Sequence, residues 1–231
     1  MQRRKFTSGA LAASVLAGLQ LPAKASLQSL SETDAATGIR AALERGAVAA
    51  VGLLGKTDGF LGNPKVRIEL PGFLNDAARF LKATGQQKRV DELITAMNRA
   101  AEAAVPQAKT LLVSAVKNMS VEDARNILTG GDDSATQFFA GKTREPLSEK
   151  FLPIVTKATE KVSLADKYNA VAGRASSLGL LRKDQANVQE YVTGKALDGL
   201  FLIIGEEERK IRQDPIGTGS AILKKVFGAL K

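Results

Sequence analysis

Residues 187–215 read NVQEYVTGKALDGLFLIIGEEERKIRQDP, and their spacing sets the fold class. Asn187-Val188-Gln189-Glu190 has the form of a capping box, with a side-chain acceptor three residues ahead of a carboxylate. Ala196, Leu200, Ile203, Ile204 and Ile211 then recur at helical spacing, and Asp214-Pro215 stops the run, because proline cannot continue a helix. A long helix with an apolar stripe must bury that stripe against other elements.

The rest of the chain supplies them. Leu164, Tyr168, Val171, Ala175 and Leu178 form a stripe closed by Gly179. A helix is expected from about Thr143 to Val162, with Pro146 in its first turn and Pro153 further in, so that a kink is expected near Phe151. Ser120-Val121-Glu122-Asp123 opens a short helix ending at Thr129-Gly130-Gly131, and Asp132 or Asp133 caps the next, which carries Phe138 and Phe139. Leu111, Leu112, Ala115, Val116 and Met119 follow the break at Pro106, which is preceded by Val90, Leu93, Ile94, Met97, Ala101 and Ala104. Phe73, Ala77, Phe80 and Leu81 form a shorter run stopped at Gly85. Ser31 is the N-cap expected for a first helix that buries Ile39, Leu43, Ala47, Ala50, Val51 and Leu54 and ends at Gly55. A last helix follows Gly217-Thr218-Gly219-Ser220.

One stretch departs from this pattern. Between Lys56 and Pro71, Asp58-Gly59 and Asn63-Pro64 are turn signals, and Val66, Ile68 and Leu70 alternate with Arg67 and Glu69 as in a strand. The expected fold is therefore all-α, a multi-helix globular bundle with one short extended arm or strand at about residues 60–71.

Arg3-Arg4-Lys5 precede a mild apolar stretch from Ala10 to Leu21, followed by Ala23-Lys24-Ala25. This is the layout of a cleavable signal peptide over residues 1–25, with cleavage after Ala25. The apolar stretch is much shorter than the roughly 20 residues that cross a bilayer. Arg3-Arg4 with Phe6, and the late Lys24, resemble the twin-arginine export signal, with Sec export as the other route. The expected product is a soluble periplasmic protein consisting of one helical domain, residues 26–231. Cleavage removes Arg3, Arg4, Lys5 and Lys24 but no acid, taking the net charge from +9 to +5.

The chain has no His and no Cys. That excludes Ser-His-Asp and Cys-His nucleophilic sites, zinc sites of the usual kind, and axial His or Cys haem ligation. No cofactor is expected. Chemistry would fall to carboxylates, Lys, Ser, Thr, Tyr or a hard cation. Nucleic-acid binding is disfavoured, because acids are mixed with the basic residues throughout and aromatics do not interleave with them.

Four local patterns offer chemistry. Asp132 and Asp133 on a glycine turn present paired carboxylates to a cation, although the plainer reading is a helix end followed at once by a helix start. Arg99 with Glu102, and Lys195 with Asp198, are i,i+3 pairs that would matter if they met in a cleft. Ser220, Lys224 and Lys225 belong to a basic amphipathic segment suited to an anion or a membrane surface, although docking on the protein's own core is commoner. Glu206 with Lys210 and Glu208 with Arg212 read as pairs on a solvated helix face.

Several separated strings, taken together, resemble a known family. They are Gly55-Lys56-Thr57-Asp58-Gly59-Phe60-Leu61, Asn63-Pro64-Lys65-Val66-Arg67-Ile68, Met97 to Pro106, Ile127 to Thr136, Lys195-Ala196-Leu197-Asp198-Gly199-Leu200-Phe201 and Arg212-Gln213-Asp214-Pro215. In this order they look like the bacterial domain-of-unknown-function family DUF4197, over nearly all of the mature chain. The resemblance implies a single exported domain and carries over no activity, ligand or catalytic residue.

The favoured functional reading is a non-enzymatic periplasmic helical binding or scaffolding protein, with an envelope protein or an anionic lipid surface as the partners considered. The alternatives are a carboxylate-based enzyme, dependent on a divalent cation around Asp132 and Asp133, and a carrier of a hydrophobic ligand or lipid between helices. A cavity would favour the carrier, and converging acids the enzyme.

Overall fold

The computed structural model describes residues 32–179, 181–182, 185 and 187–214. Among them are eight α-helices: α1 (Glu32–Leu54), α2 (Asn75–Ala83), α3 (Gln87–Ala104), α4 (Ala108–Lys117), α5 (Val121–Thr129), α6 (Ser134–Thr159), α7 (Ser163–Ser177) and α8 (Val188–Gln213). The expected signal peptide, Ser31 and the last helix lie outside the described residues. No described helix is long and apolar enough to cross a membrane.

The centre of the bundle is the pair α6 and α8, each 26 residues and so about 39 Å long. α3 packs against both, α1 lies along α8 and α4, α5 packs on α1 and α6, and α2 and α7 cover α3 at one end. One core runs through all of these helices, with Leu54, Phe60, Met97, Leu112, Phe139, Leu147, Phe151 and Leu200 fully buried.

α6 differs from expectation. The run carrying Phe138 and Phe139 and the run from Thr143 to Val162 are one helix, continuous through Pro146 and Pro153. Its buried residues are Ala135, Phe139, Thr143, Leu147, Phe151, Val155 and Thr159, one every fourth position. Four residues advance about 40° beyond a full turn, so this stripe winds about 240° around the helix from end to end. Such a helix is covered by different neighbours along its length, and α5, α3, α4 and α8 all pack on it. Burial along every turn offsets the N–H groups that two prolines remove. Thr143 and Thr159 are buried without leaving a free hydroxyl, since each donates to the carbonyl four residues back, at 2.7 and 2.8 Å.

Of the arm expected at about residues 60–71, the part through residue 66 is turns, and among the described residues none of it joins a strand ladder. Residues 55–66 form a succession of turns and bends, and from the last of them onward Val66 and Ile68 are buried while Arg67 and Glu69 are exposed, so the alternation holds. The place of a neighbouring strand is taken by a side chain: Ile68 N–H donates to Asn98 Oδ1 and Asn98 Nδ2 donates to Ile68 O, both at 2.8 Å. Tyr191 of α8 adds a 2.9 Å bond from its hydroxyl to the carbonyl of Glu69. The turns before the arm need close approach. A Cβ on Gly59 would stand 2.4 Å from the Leu54 carbonyl oxygen, and one on Gly199 of α8 would stand 2.8 Å from the Phe60 ring.

Two of the local caps that the sequence places are present, the one at Asn187 as a single bond rather than a reciprocal box. Ser120 and Asp123 form the full reciprocal box at the start of α5. Asn187 Oδ1 accepts the Glu190 N–H at 2.7 Å at the start of α8, where Asn169 of α7 takes the Val188 N–H at 2.8 Å.

Candidate functional site

Asp132 and Asp133 are exposed on the turn between α5 and α6. Asp133 occupies the N-cap position of α6, but its side chain accepts no cap hydrogen bond, receiving Gln137 Nε2 at 2.9 Å instead. Capping is done from across the bundle. Glu208 of α8 accepts the Ala135 N–H at 2.9 Å on one carboxylate oxygen, and the Thr136 N–H and hydroxyl at 2.8 Å on the other. Arg212 completes the arrangement, donating to Glu208 at 2.8 Å, to Ser134 Oγ at 2.7 Å and to the Ile127 carbonyl at 2.9 Å. A carboxylate at a helix N-terminus meets both free N–H groups and the positive end of the macrodipole. The expectation of a solvated Glu208 and Arg212 pair is therefore corrected: the Glu208 side chain is only 4% exposed. Glu206 pairs with Lys65 at 2.7 Å rather than with Lys210, which bonds Glu207 at 2.6 Å.

Arg99 and Glu102 work in the same way. Buried Glu102 accepts the N–H groups of Phe60 and Leu61 at 3.0 Å each, and its other oxygen takes Arg99 at 2.6 Å. Arg99 also reaches Asp58 at 2.8 Å, a residue held at φ +64°. These two acceptors hold the guanidinium's proton more firmly than usual, Glu102 first and Asp58 second. The result is a clip fastening the 55–63 turns to α3. Lys195 and Asp198 lie on a half-exposed face of α8, 3.9 Å apart, and Asp198 is bonded more closely by Arg144 of α6 at 2.5 Å. Arg144 also sits 5.8 Å from the Phe201 ring centre. Ser220, Lys224 and Lys225 lie outside the described residues. Among the described residues no three metal-ligating side chains gather, at Asp132 and Asp133 or elsewhere.

Two of the concavities among the described residues bear on a site. The groove between α6 and α8, about 670 Å³, is open and of mixed sign, with Arg144, Arg182, Glu145 and Glu190 around Gly141 and Gly194. The other is of a different kind. A pocket of about 250 Å³ opens between α2, α3 and α7 and is lined by Leu74, Ala78, Leu81, Leu93, Leu164 and their apolar neighbours, with Phe80 and Val171 among them. Among the described residues only Lys167 and Tyr168 bring polar atoms to its lining side chains.

Tyr168 is 2% exposed, edge-on to Phe73 at 6.1 Å and tilted against Tyr191 at 6.3 Å. Its hydroxyl is buried and has no hydrogen-bond partner among the described residues, although buried hydroxyls are nearly always paired. Burial pushes its pKa well above the ordinary tyrosine value, and pushes that of Tyr191 up to about 12. Phe80, by contrast, is 67% exposed.

The stripes of both flanking helices are visible in the sequence. Their spacing announces a face to be covered, and nothing local tells that α2 and α7 leave a gap between them. Among the described residues, Phe73, Phe80, Val171 and Leu178 of these stripes are exposed.

The family model described as a protein of unknown function (DUF4197) matches residues 29–228. The chain belongs to that family. No curated protein and no solved structure matches it. The matched span contains α2, α3 and α7 entire, so the apolar pocket lies within the DUF4197 domain itself. The clip of Arg99, Glu102 and Asp58 and the cap of Glu208 on α6 also lie within it, and both close DUF4197 backbone rather than an open cleft.

Proposed function

We propose that this DUF4197 protein is a non-enzymatic, exported binding protein that holds a small hydrophobic ligand in the pocket between α2, α3 and α7. The observation carrying this reading is the pocket: about 250 Å³, apolar on nearly every side, with Phe80 exposed at its lining. An engineered cavity of about 150 Å³ with similar walls stays dry and takes up benzene, so this space suffices for a ring or the end of an acyl chain. Exposed apolar surface next to such a pocket is what a ligand would cover. Asp132 and Asp133, on which the enzyme alternative centres, are exposed on a turn with no third acid beside them among the described residues, and Glu102 and Glu208 are occupied with backbone N–H groups. Export rests on the pattern of residues 1–25.

The test is titration of residues 26–231 with the apolar fluorophore N-phenylnaphthylamine, beside an Ala78→Phe variant that fills the pocket. Enhanced, saturable fluorescence is expected, lost in Ala78→Phe with the melting temperature maintained. Absence of binding, or binding unchanged in that variant, would overturn the reading.

A further inference from the structure

Resting on the pocket reading above, we infer that the ligand is a single-chain anionic amphiphile, a free monoacyl carboxylate whose tail fills the pocket and whose head pairs with Lys167. Among the described residues Lys167 is the only charged side chain lining the pocket, and no acid lines it. A lysine stem covers apolar surface while its ammonium reaches water, so this residue places one positive charge at the edge of an otherwise apolar space. That charge is not committed elsewhere: Lys167 makes no ion pair among the described residues, whereas Lys65, Arg99, Arg144, Lys210 and Arg212 all do. Its same-face helical neighbours, Ser163, Leu164, Ala170 and Val171, carry no charge.

Size limits the tail. A volume of about 250 Å³ takes part of one chain, not the paired chains of a bilayer lipid. The wall offers a tail no polar partner, so its contribution is transfer free energy alone, and the head group decides among ligands with equal tails.

The experiment compares three ligands sharing one saturated chain, a carboxylate, its methyl ester and a trimethylammonium, by displacement of bound N-phenylnaphthylamine at low salt. Lys167→Met and Lys167→Glu variants are measured in parallel. Lys167 is exposed, so both should fold. The carboxylate should bind about two- to fivefold more tightly than the ester, the range of an exposed ion pair. This preference should vanish in Lys167→Met, reverse toward the trimethylammonium in Lys167→Glu, and fade as salt rises. Equal displacement by all three ligands in the unaltered protein overturns the inference and leaves the pocket reading standing. No displacement by any of them overturns the inference, and only a protein that binds no N-phenylnaphthylamine at the outset overturns both. Sedimentation with anionic vesicles, without displacement by the dissolved carboxylate, overturns the inference in favour of a membrane surface.

Discussion

Asn98 and Ile68 exchange two hydrogen bonds of 2.8 Å, a side-chain amide standing in for the backbone of a neighbouring strand. Asn98 is wholly buried and spends its remaining donor on the Ile94 carbonyl, also at 2.8 Å. Removing the amide strands a buried N–H and a buried C=O. Asn98→Ala should therefore destabilise the protein by about 2–4 kcal/mol, measured by urea denaturation. Asn98→Asp should fare no better, because a carboxylate cannot donate to the Ile68 carbonyl. An Asn98→Ala loss within about 0.5 kcal/mol would show that the arm is not anchored there.

Glu208 and Asp133 divide the work at the start of α6 unequally. Glu208→Ala leaves the Ala135 and Thr136 N–H groups and Arg212 without their shared acceptor, and should cost about 3–5 kcal/mol. Asp132→Ala and Asp133→Ala should each stay within about 0.5 kcal/mol, since both acids are exposed and Asp133 accepts no cap bond. Thermal melts of the three variants check the ranking. Comparable losses from Asp133 and Glu208 would restore the acid on the turn as the cap.

Alkali should reveal the burial of the aromatic wall. Tyr168 and Tyr191 are the only tyrosines, and burial raises both above the ordinary value of 10. The folded form keeps phenol protons that the unfolded chain releases. This contribution to stability is therefore complete below about pH 10 and drains away as pH rises from there through the folded values. Tyrosinate absorbance should stay low at pH 10 in the folded protein and appear together with the loss of helical circular dichroism. Half-formed tyrosinate at pH 10 with intact helices would contradict it.

Export makes its own demand on the N-terminus. Changing Arg3-Arg4 to Lys-Lys should hold precursor in the cytoplasm if the twin-arginine route carries the protein, which cell fractionation reads directly. Undiminished mature protein outside the cytoplasm would reject that route and leave Sec.

What the sequence made legible, and what it did not, divides by distance along the chain. The caps at Ser120 and Asn187 use acceptors three residues from their donors, and the stripe from Ile39 to Leu54 needs only helical spacing. Glu102 and Glu208 act on backbone 42 and 73 residues away, so no local pattern separates them from surface acids. Glu208 even presents the i,i+4 partner that marks a solvated face. Pro146 suggested a helix start and Pro153 a kink near Phe151 because helix rules weigh the missing N–H groups and not the burial that offsets them. The pocket was least legible, since a gap belongs to the placement of α2, α3 and α7 together rather than to any one of them.

The reach of Glu208 has a temporal side. A chain made from its N-terminus presents the whole of α6 before the carboxylate that closes its first turn exists, and α6 is the helix on which α3, α4 and α5 pack. Those helices assemble around an unfinished axis until residue 208 and its companion Arg212 arrive near the end of synthesis. A nascent chain stalled before α8 should therefore be open to protease at the α5–α6 junction, and the completed chain closed there.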